Sequence, residues 1–144
     1  MPQKPISVLI ADDSSEDRLF LNHAIEHFAA SLRVVGEVVN GSELVDYLSG
    51  KNEYADRSKY PFPDLLLMDL RMPEMDGFQV LEWLQKRSFP GLKVAVLADS
   101  SGTAYRSDAI EMGAHYFLSK LAGSDGMART LTQLQQEIDR SRAL

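Results

Sequence analysis

Four charged residues stand at the ends of short apolar runs, where side chains are free to do chemistry. Asp12 and Asp13 follow one run, and Asp69 closes another. Lys120 comes directly after a third run. Three carboxylates in one crevice would repel one another by roughly 4 kcal/mol per pair at 4 Å and an effective dielectric constant near 20. A hard divalent cation such as Mg²⁺ relieves that repulsion and keeps room for a phosphate oxygen. Lys120 would then supply a positive charge for an incoming anion.

These residues can meet only if the apolar runs form one sheet. Short β-rich runs alternate five times with longer segments at helical spacing, which predicts five βα units. Parallel strands need a helical crossover each time, so the units build a doubly wound open sheet of the α/β class. Ligands bind outside the carboxyl ends of the strands in such a sheet. The predicted strands are Ile6–Ala11, Leu32–Val38, Leu65–Leu70, Val94–Ala98 and Ala114–Ser119.

Helix signals follow each predicted strand. Ser14 begins the first helix as its N-cap, with Asp17 three residues later in a capping-box arrangement. The remaining helices are predicted at Ser42–Leu48, Gly77–Arg87, Ser101–Met112 and Gly126–Arg140. Residues 49–62 lie between the second helix and the third strand, and their polar composition indicates a surface insertion. No linker is visible, so we expect residues 1–144 to form a single domain.

Composition excludes several classes of protein. The chain has 144 residues, of which 44% are hydrophobic, enough for one buried core. Its 21 acidic residues outnumber 15 basic ones, and the resulting charge of −6 argues against binding to nucleic acid. The chain has no cysteine, which excludes disulfide scaffolds and thiolate metal sites. No apolar run is long enough to span a membrane, so we expect a soluble, cytoplasmic protein.

Three features carry a family resemblance: the pair Asp12-Asp13, the run Asp69-x-x-Met72-Pro73-x-Met75-Asp76-Gly77, and Lys120. Together they resemble the receiver domain of two-component response regulators, over nearly the whole chain. The resemblance implies a flavodoxin-like sheet with the strand order 2-1-3-4-5. It also implies a stand-alone signalling protein rather than an enzyme. Such a protein accepts a phosphoryl group from a histidine kinase or a phosphotransfer protein.

The resemblance also implies roles for individual residues. Asp69 would be the phosphoacceptor, and Lys120 would pair with the phosphoryl group. Asp13 and Asp69 would ligate Mg²⁺ together with the backbone carbonyl of Arg71. Asp12 would complete the metal site by holding a metal-bound water.

Two positions depart from the family pattern. Ala98 ends the predicted fourth strand, where the family usually carries Thr or Ser, and Leu121 replaces a proline that usually follows the lysine in a cis peptide. A non-proline cis bond costs roughly 2.5–4 kcal/mol, so we expect the Lys120–Leu121 bond to be trans. Phe117 takes the position of the family's rotating aromatic and, with Ala98, forms the expected switch. Because Ala98 lacks a hydroxyl, we expect phosphorylation and switching to be loosely coupled.

Other functions fit parts of the pattern. A pseudo-receiver binds partners without phosphorylation, and Ala98 and Leu121 favour that alternative. A phosphatase of the haloacid dehalogenase type also uses a strand-end Asp with Mg²⁺, but it needs a second Asp where this chain has Arg71. His23 and His27 are spaced to ligate a metal, but they lack a third ligand, and we interpret them as surface residues.

The insertion suggests a subfamily and a contact surface. A similar insertion occurs in small receivers that work with bacterial phytochrome kinases. Its aromatic residues, Tyr54, Tyr60 and Phe62, either pin the loop or contact a partner. The expected signalling partner is a downstream protein or a second copy of the chain in a homodimer.

Overall fold

The computed structural model describes residues 4–99 and 102–142. Within them the chain forms one sheet of parallel strands with the order β2-β1-β3-β4-β5. The predicted α/β fold and strand order are therefore confirmed. The strands are β1 (Ile6–Ala11), β2 (Leu32–Val38), β3 (Leu65–Asp69), β4 (Lys93–Ala98) and β5 (Tyr116–Ser119).

Helices cover both faces of the sheet. They are α1 (Ser15–Phe28), α2 (Gly41–Ser49), α3 (Gly77–Gln85), α4 (Arg106–Glu111) and α5 (Gly123–Arg142). Side chains of a strand alternate between the two faces, so each central strand contributes to two cores. Ile10 and Leu67 belong to the core that includes residues of α1 and α5. Leu9 and Leu66 belong to the opposite core, with residues of α2, α3 and α4.

The fourth and fifth helices differ most from the prediction. The fourth α-helix is shorter than predicted because a 3₁₀ turn at Thr103–Tyr105 precedes it. The Tyr105 amide donates to the Gly102 carbonyl at 3.1 Å, which closes the tighter turn. The predicted start of this helix at Ser101 lies outside the described residues. The fifth helix begins at Gly123, three residues earlier than predicted. Gly126 is therefore not a helix start but a close-packing position inside the helix, where a Cβ would lie 2.7 Å from the Leu121 carbonyl carbon.

The N-terminus of α1 is capped differently from the prediction. The Asp17 amide donates to the Ser14 hydroxyl at 3.1 Å, as an N-cap requires. The reciprocal bond of a capping box does not come from Asp17, because the Ser14 amide donates to Asp12 Oδ1 at 2.9 Å. The Asp17 carboxylate is thereby available to another partner.

The segment between α2 and β3 contains a 3₁₀ turn at Asn52–Ala55 and is tied to α2 by Arg57. The Arg57 guanidinium donates to the carbonyls of Tyr47 at 2.9 Å and Leu48 at 3.1 Å. Both carbonyls lie in the last turn of α2, and the one of Tyr47 also accepts from the Gly50 amide at 3.1 Å. The Tyr54 and Tyr60 rings pack against Tyr47, with centroids 4.9 and 6.0 Å away. Tyr54 and Tyr60 therefore hold the segment against α2.

No helix among the described residues is both long enough and apolar enough to cross a membrane.

Candidate functional site

Parallel strands place their carboxyl ends at one edge of the sheet, and the predicted acidic residues meet there. Asp12 and Asp13 follow β1, and Asp69 is the last residue of β3. One carboxylate oxygen from each of the three lies within 4.8 Å of the others. The three side chains differ in exposure: Asp12 is buried, Asp69 is half-buried and Asp13 is exposed. Asp13 is thus the carboxylate of the group that faces solvent.

Lys120 follows β5 and reaches into the same edge. Its Nζ lies 2.6 Å from Asp12 Oδ2, 2.7 Å from Asp17 Oδ2 and 3.0 Å from Asp69 Oδ2. Burial by itself would lower the pKa of the ammonium, but the hydrogen bonds to Asp12 and Asp17 outweigh burial and raise the pKa well above its usual range. Lys120 is therefore a permanent positive charge at the centre of the site.

Burial raises the pKa of the two inner carboxyl groups. It raises the pKa of Asp12, against the opposing hydrogen bond from Lys120, and it raises the pKa of Asp69, against the charge of Lys120. Backbone amides hold the other oxygen of each group: Asp69 Oδ1 accepts from the Arg71 amide at 3.3 Å, and Asp12 Oδ1 accepts from Ser14. Both carboxylates are thereby oriented by the loops that follow their strands.

The loop after β3 borders an open cleft of about 650 Å³ beside the acids. Asp13 and Arg71 line it, together with Phe78 on α3 and Tyr105 before α4. The Phe78 and Tyr105 rings meet edge to face at 5.5 Å and form the far wall. The cleft gives Asp13 and the loop that carries Arg71 access to a molecule from solvent.

The donor set fits a hard divalent cation. Asp12, Asp13 and Asp69 offer only oxygen ligands, which Mg²⁺ prefers. Asp17 adds a fourth carboxylate to the site, against the single ammonium of Lys120. The resulting excess of negative charge favours a bound cation.

Sequence reasoning missed Asp17 as a member of the site. Its spacing from Ser14 predicted a helix-capping role, which would have turned its carboxylate back toward the chain. The one available signal was its position in the first turn of a helix that starts at the carboxyl edge of the sheet, beside Asp12. That position places a side chain near the strand ends whatever its capping role.

The two predicted switch residues, Ala98 and Phe117, are buried in the core that α2, α3 and α4 cover. Ala98 is buried at the end of β4, and its carbonyl accepts from the Lys120 amide at 2.7 Å. A Cβ on Gly102 would lie 3.0 Å from the Ala98 Cβ, so the following loop packs directly on this methyl group. The Phe117 ring is buried in the same core, and its carbonyl accepts from Arg106 at 2.9 Å.

The loop after β5 has the backbone conformation that the sequence predicts. No cis peptide bond occurs in the described ranges, so the Lys120–Leu121 bond is trans as predicted. The Leu121 side chain is exposed. His23 and His27 are exposed on α1, also as predicted, and among the described residues the acids Asp12, Asp13 and Asp69 are the group that could hold a metal.

The sheet order and the acids at its carboxyl edge define a class, the CheY-like receiver fold. The comparison with known families agrees: the model of the response regulator receiver domain matches residues 8–132, and the chain belongs to this family. The predicted family resemblance is therefore confirmed.

Similar proteins differ in how much of their own length this chain covers. A protein-glutamate methylesterase/protein-glutamine glutaminase of Treponema pallidum is 34% identical over 122 residues, covering 83% of this chain and 27% of that protein. The chemotaxis protein CheY of Thermotoga maritima is 33% identical over 113 residues, which cover 78% of this chain and 83% of that protein. A response regulator in red light signalling of R. palustris has a solved structure with a TM-score of 0.76, 30% identity and 90% coverage of both chains. The chain spans about a quarter of the methylesterase, so that enzyme's activity is not transferred to it.

Proposed function

We propose that this chain accepts a phosphoryl group on Asp69 and signals the change through a protein-binding surface. The observation that carries the proposal is the convergence of Lys120 with Asp12 and Asp69, within 3.0 Å at the edge of the sheet. Phosphoryl transfer to a carboxylate requires an acceptor oxygen, a nearby positive charge and acids that can bind a cation. Residues 1–144 would act as a single receiver domain without enzymatic activity of its own.

The transfer proceeds by in-line displacement. A carboxylate oxygen of Asp69 attacks the phosphorus atom of a phosphohistidine on a histidine kinase or a phosphotransfer protein. A new O–P bond forms as the P–N bond breaks, and the electron pair leaves with the imidazole nitrogen. Lys120 stabilises the negative charge on the transferred oxygens, because its ammonium already lies 3.0 Å from Asp69 Oδ2.

Asp12, Asp13, Asp69 and the backbone carbonyl of Arg71 are the proposed holders of Mg²⁺. When bound, this ion would neutralise charge on the transferred group. Asp13 is exposed at the cleft, which supports direct ligation. Asp12 is buried, is ion-paired with Lys120 and accepts from the Ser14 amide, which favours an indirect role in which it holds a metal-bound water.

The proposed partners follow from this chemistry. The segment between α2 and β3 resembles the insertion of receivers that work with phytochrome kinases, and the 30% identical regulator of R. palustris acts in red light signalling. We therefore propose a phytochrome-type histidine kinase as the phosphoryl donor. A downstream protein or a second copy of the chain would receive the signal. We propose the cytoplasm as the location, because histidine kinases phosphorylate their partners there. The charge of −6 argues against a nucleic acid partner.

The pseudo-receiver alternative is not favoured. Ala98 and Leu121 supported it, but both lie outside the acid group, and neither removes a carboxylate or the ammonium. A receiver that had lost phosphorylation would have no need to keep Asp12, Asp13, Asp69 and Lys120 together.

Acetyl phosphate provides the test, because it supplies a phosphoryl group without a kinase. With Mg²⁺ the natural chain should gain the mass of one phosphoryl group, and addition of a chelator should prevent the gain. Asp69→Asn, which keeps the shape of the side chain and removes the nucleophile, should gain nothing. Equal labelling of both proteins would contradict the proposal.

A further inference from the structure

Three carboxylates surround the Lys120 ammonium, and the proposed phosphoryl transfer accounts for two of them. An ammonium has three N–H donors, and three carboxylates lie within hydrogen-bond distance of this one. Asp69 is the proposed acceptor and Asp12 belongs to the proposed metal site, whereas Asp17 has no role in either. Its 2.7 Å contact is nevertheless shorter than the 3.0 Å contact between Lys120 and Asp69.

Asp17 is well fixed for this contact. It is the third residue of α1, and its amide is bonded to the Ser14 hydroxyl. The Ser14 amide is bonded to Asp12, so the Asp17 carboxylate is not drawn back to cap the helix. The side chain is 28% exposed, and that of Lys120 is 10% exposed. Asp17 thus contacts a mostly buried ammonium from a capped helix terminus.

We propose that Asp17 is a positioning residue for Lys120, an inference that rests on the function proposed above. Ion pairs with Asp12 and Asp17 hold the ammonium in the place where it donates a hydrogen bond to Asp69 Oδ2. After transfer the ammonium donates to a phosphoryl oxygen, with little movement of the lysine. Asp17 would matter most with a cation bound, because the cation would compete with Lys120 for the charge of Asp12. Asp17 does not belong to the acid group that could hold a metal, so its contact with Lys120 would be kept.

A positioning role and a purely electrostatic role of Asp17 predict opposite changes in anion affinity. Asp17 carries a negative charge close to an anion-binding position, so removing it should tighten anion binding if only charge mattered. If Asp17 positions Lys120, removing it should weaken anion binding, because a misplaced group loses much of its effect on a bound ligand. The sign of the change therefore separates the two explanations.

The first experiment measures beryllofluoride affinity at saturating Mg²⁺, by calorimetry, in the natural chain and in Asp17→Asn. We expect the variant to bind about ten-fold more weakly, the effect of losing much of one hydrogen bond between charged groups. Glu16→Gln is the matched control, since it removes the same charge from the neighbouring exposed residue of α1. The control should bind as tightly as the natural chain or more tightly. Unchanged or tighter binding in Asp17→Asn would overturn the inference.

A second measurement needs neither Mg²⁺ nor a phosphoryl mimic. The ¹⁵N relaxation of the Lys120 ammonium reports how firmly its donors are held. We expect a rigid ammonium in the natural chain and in Glu16→Gln, and a more mobile one in Asp17→Asn and Asp17→Ser. An equally rigid ammonium in both Asp17 variants would refute the positioning role. If the natural chain binds no beryllofluoride, the proposed function fails, and the relaxation measurement still decides the role of Asp17.

Discussion

At the scale of single residues, the site is a balance between one ammonium and several carboxylates. Lys120 contacts Asp12, Asp17 and Asp69 at 2.6–3.0 Å, and Asp13 remains exposed to solvent. Like charges this close raise the free energy of the folded state, and an added cation lowers it. The stability of the chain should therefore report on occupation of the site.

Mg²⁺ should stabilise the folded chain through Asp13. At about one hundred times its Kd, a ligand that binds only the folded state adds about 2.7 kcal/mol to the free energy of unfolding. We expect a rise in Tm with Mg²⁺ in the natural chain and in Glu16→Gln, and a much smaller rise in Asp13→Asn. Thermal unfolding with and without Mg²⁺ measures it. Equal rises in the natural chain and Asp13→Asn would show that Asp13 is not a ligand.

His115 should make stability depend on pH. Its Nδ1 accepts from the Val94 amide at 3.0 Å, which requires an unprotonated nitrogen. Burial, followed by the charge of Lys93, lowers the pKa of His115 in the folded chain. The unfolded chain binds the proton more readily, so this contribution to stability is complete above about pH 6.5 and is lost as the pH falls below that value.

His115→Asn isolates this effect, because the amide oxygen can replace Nδ1 as acceptor but does not titrate. We expect the free energy of unfolding to fall less steeply in the variant than in the natural chain between pH 6.5 and 5. Urea denaturation at several pH values measures the slopes. Identical slopes would mean that the Val94 contact does not depend on the protonation of His115.

At the scale of elements, the hydrophobic pattern was sufficient for the strands and insufficient for the loops. Residues 65–68 of β3 are all apolar and all buried, as expected of a strand covered on both faces of the sheet. The short α4 was not predictable, because its 3₁₀ turn depends on the amide of Gly102 bonding to Asp99 across the turn. Asp17 was missed for a related reason: the same residue satisfies a local capping pattern and a long-range ion pair, and sequence spacing reports only the first.

The segment between α2 and β3 should stabilise the fold through Arg57. Arg57→Met removes hydrogen bonds to the Tyr47 and Leu48 carbonyls, and it should lower the free energy of unfolding by roughly 1–3 kcal/mol. The urea midpoint should fall with little change in slope. Lys59→Met, which removes a nearby exposed charge, should change stability by less than about 0.5 kcal/mol. Similar effects of both substitutions would show that capping of α2 is not the role of Arg57.

The side chain at the end of β4 should determine how much the environment of Phe117 on β5 changes on phosphorylation. Ala98→Thr supplies a hydroxyl that could reach a phosphoryl oxygen. A hydrogen bond to a charged group contributes about 1.5–3 kcal/mol, which corresponds to roughly a ten- to hundred-fold stronger coupling. We expect larger amide shift changes at Phe117 on beryllofluoride binding in Ala98→Thr than in the natural chain.

Ala98→Val controls for size in that comparison. Any larger side chain at this position presses on Gly102, which lies directly over the Ala98 methyl group. Valine has nearly the shape of threonine and no hydroxyl, so it should leave the response of Phe117 near that of the natural chain. Equal responses in the Thr and Val variants would assign the effect to the displaced loop and not to a hydrogen bond.

At the scale of the whole molecule, the order of the strands determines which residues meet at the site. Asp12, Asp69 and Lys120 are distant in sequence, yet a parallel sheet with the order β2-β1-β3-β4-β5 ends β1, β3 and β5 at the same edge. The sequence pattern predicted this sheet, and with it the meeting of the acids and the lysine. The pattern could not predict which oxygen contacts which donor, since that depends on side-chain packing at distances of 2.6–3.3 Å.

The location of the phosphoryl group tests the central proposal most directly. After incubation with acetyl phosphate and Mg²⁺, borohydride converts a phosphorylated aspartate to homoserine, which peptide mass spectrometry can locate. We predict homoserine at position 69 and at no other aspartate. Homoserine at position 12 or 13, or no conversion at all, would contradict the proposal that Asp69 is the phosphoacceptor of this chain.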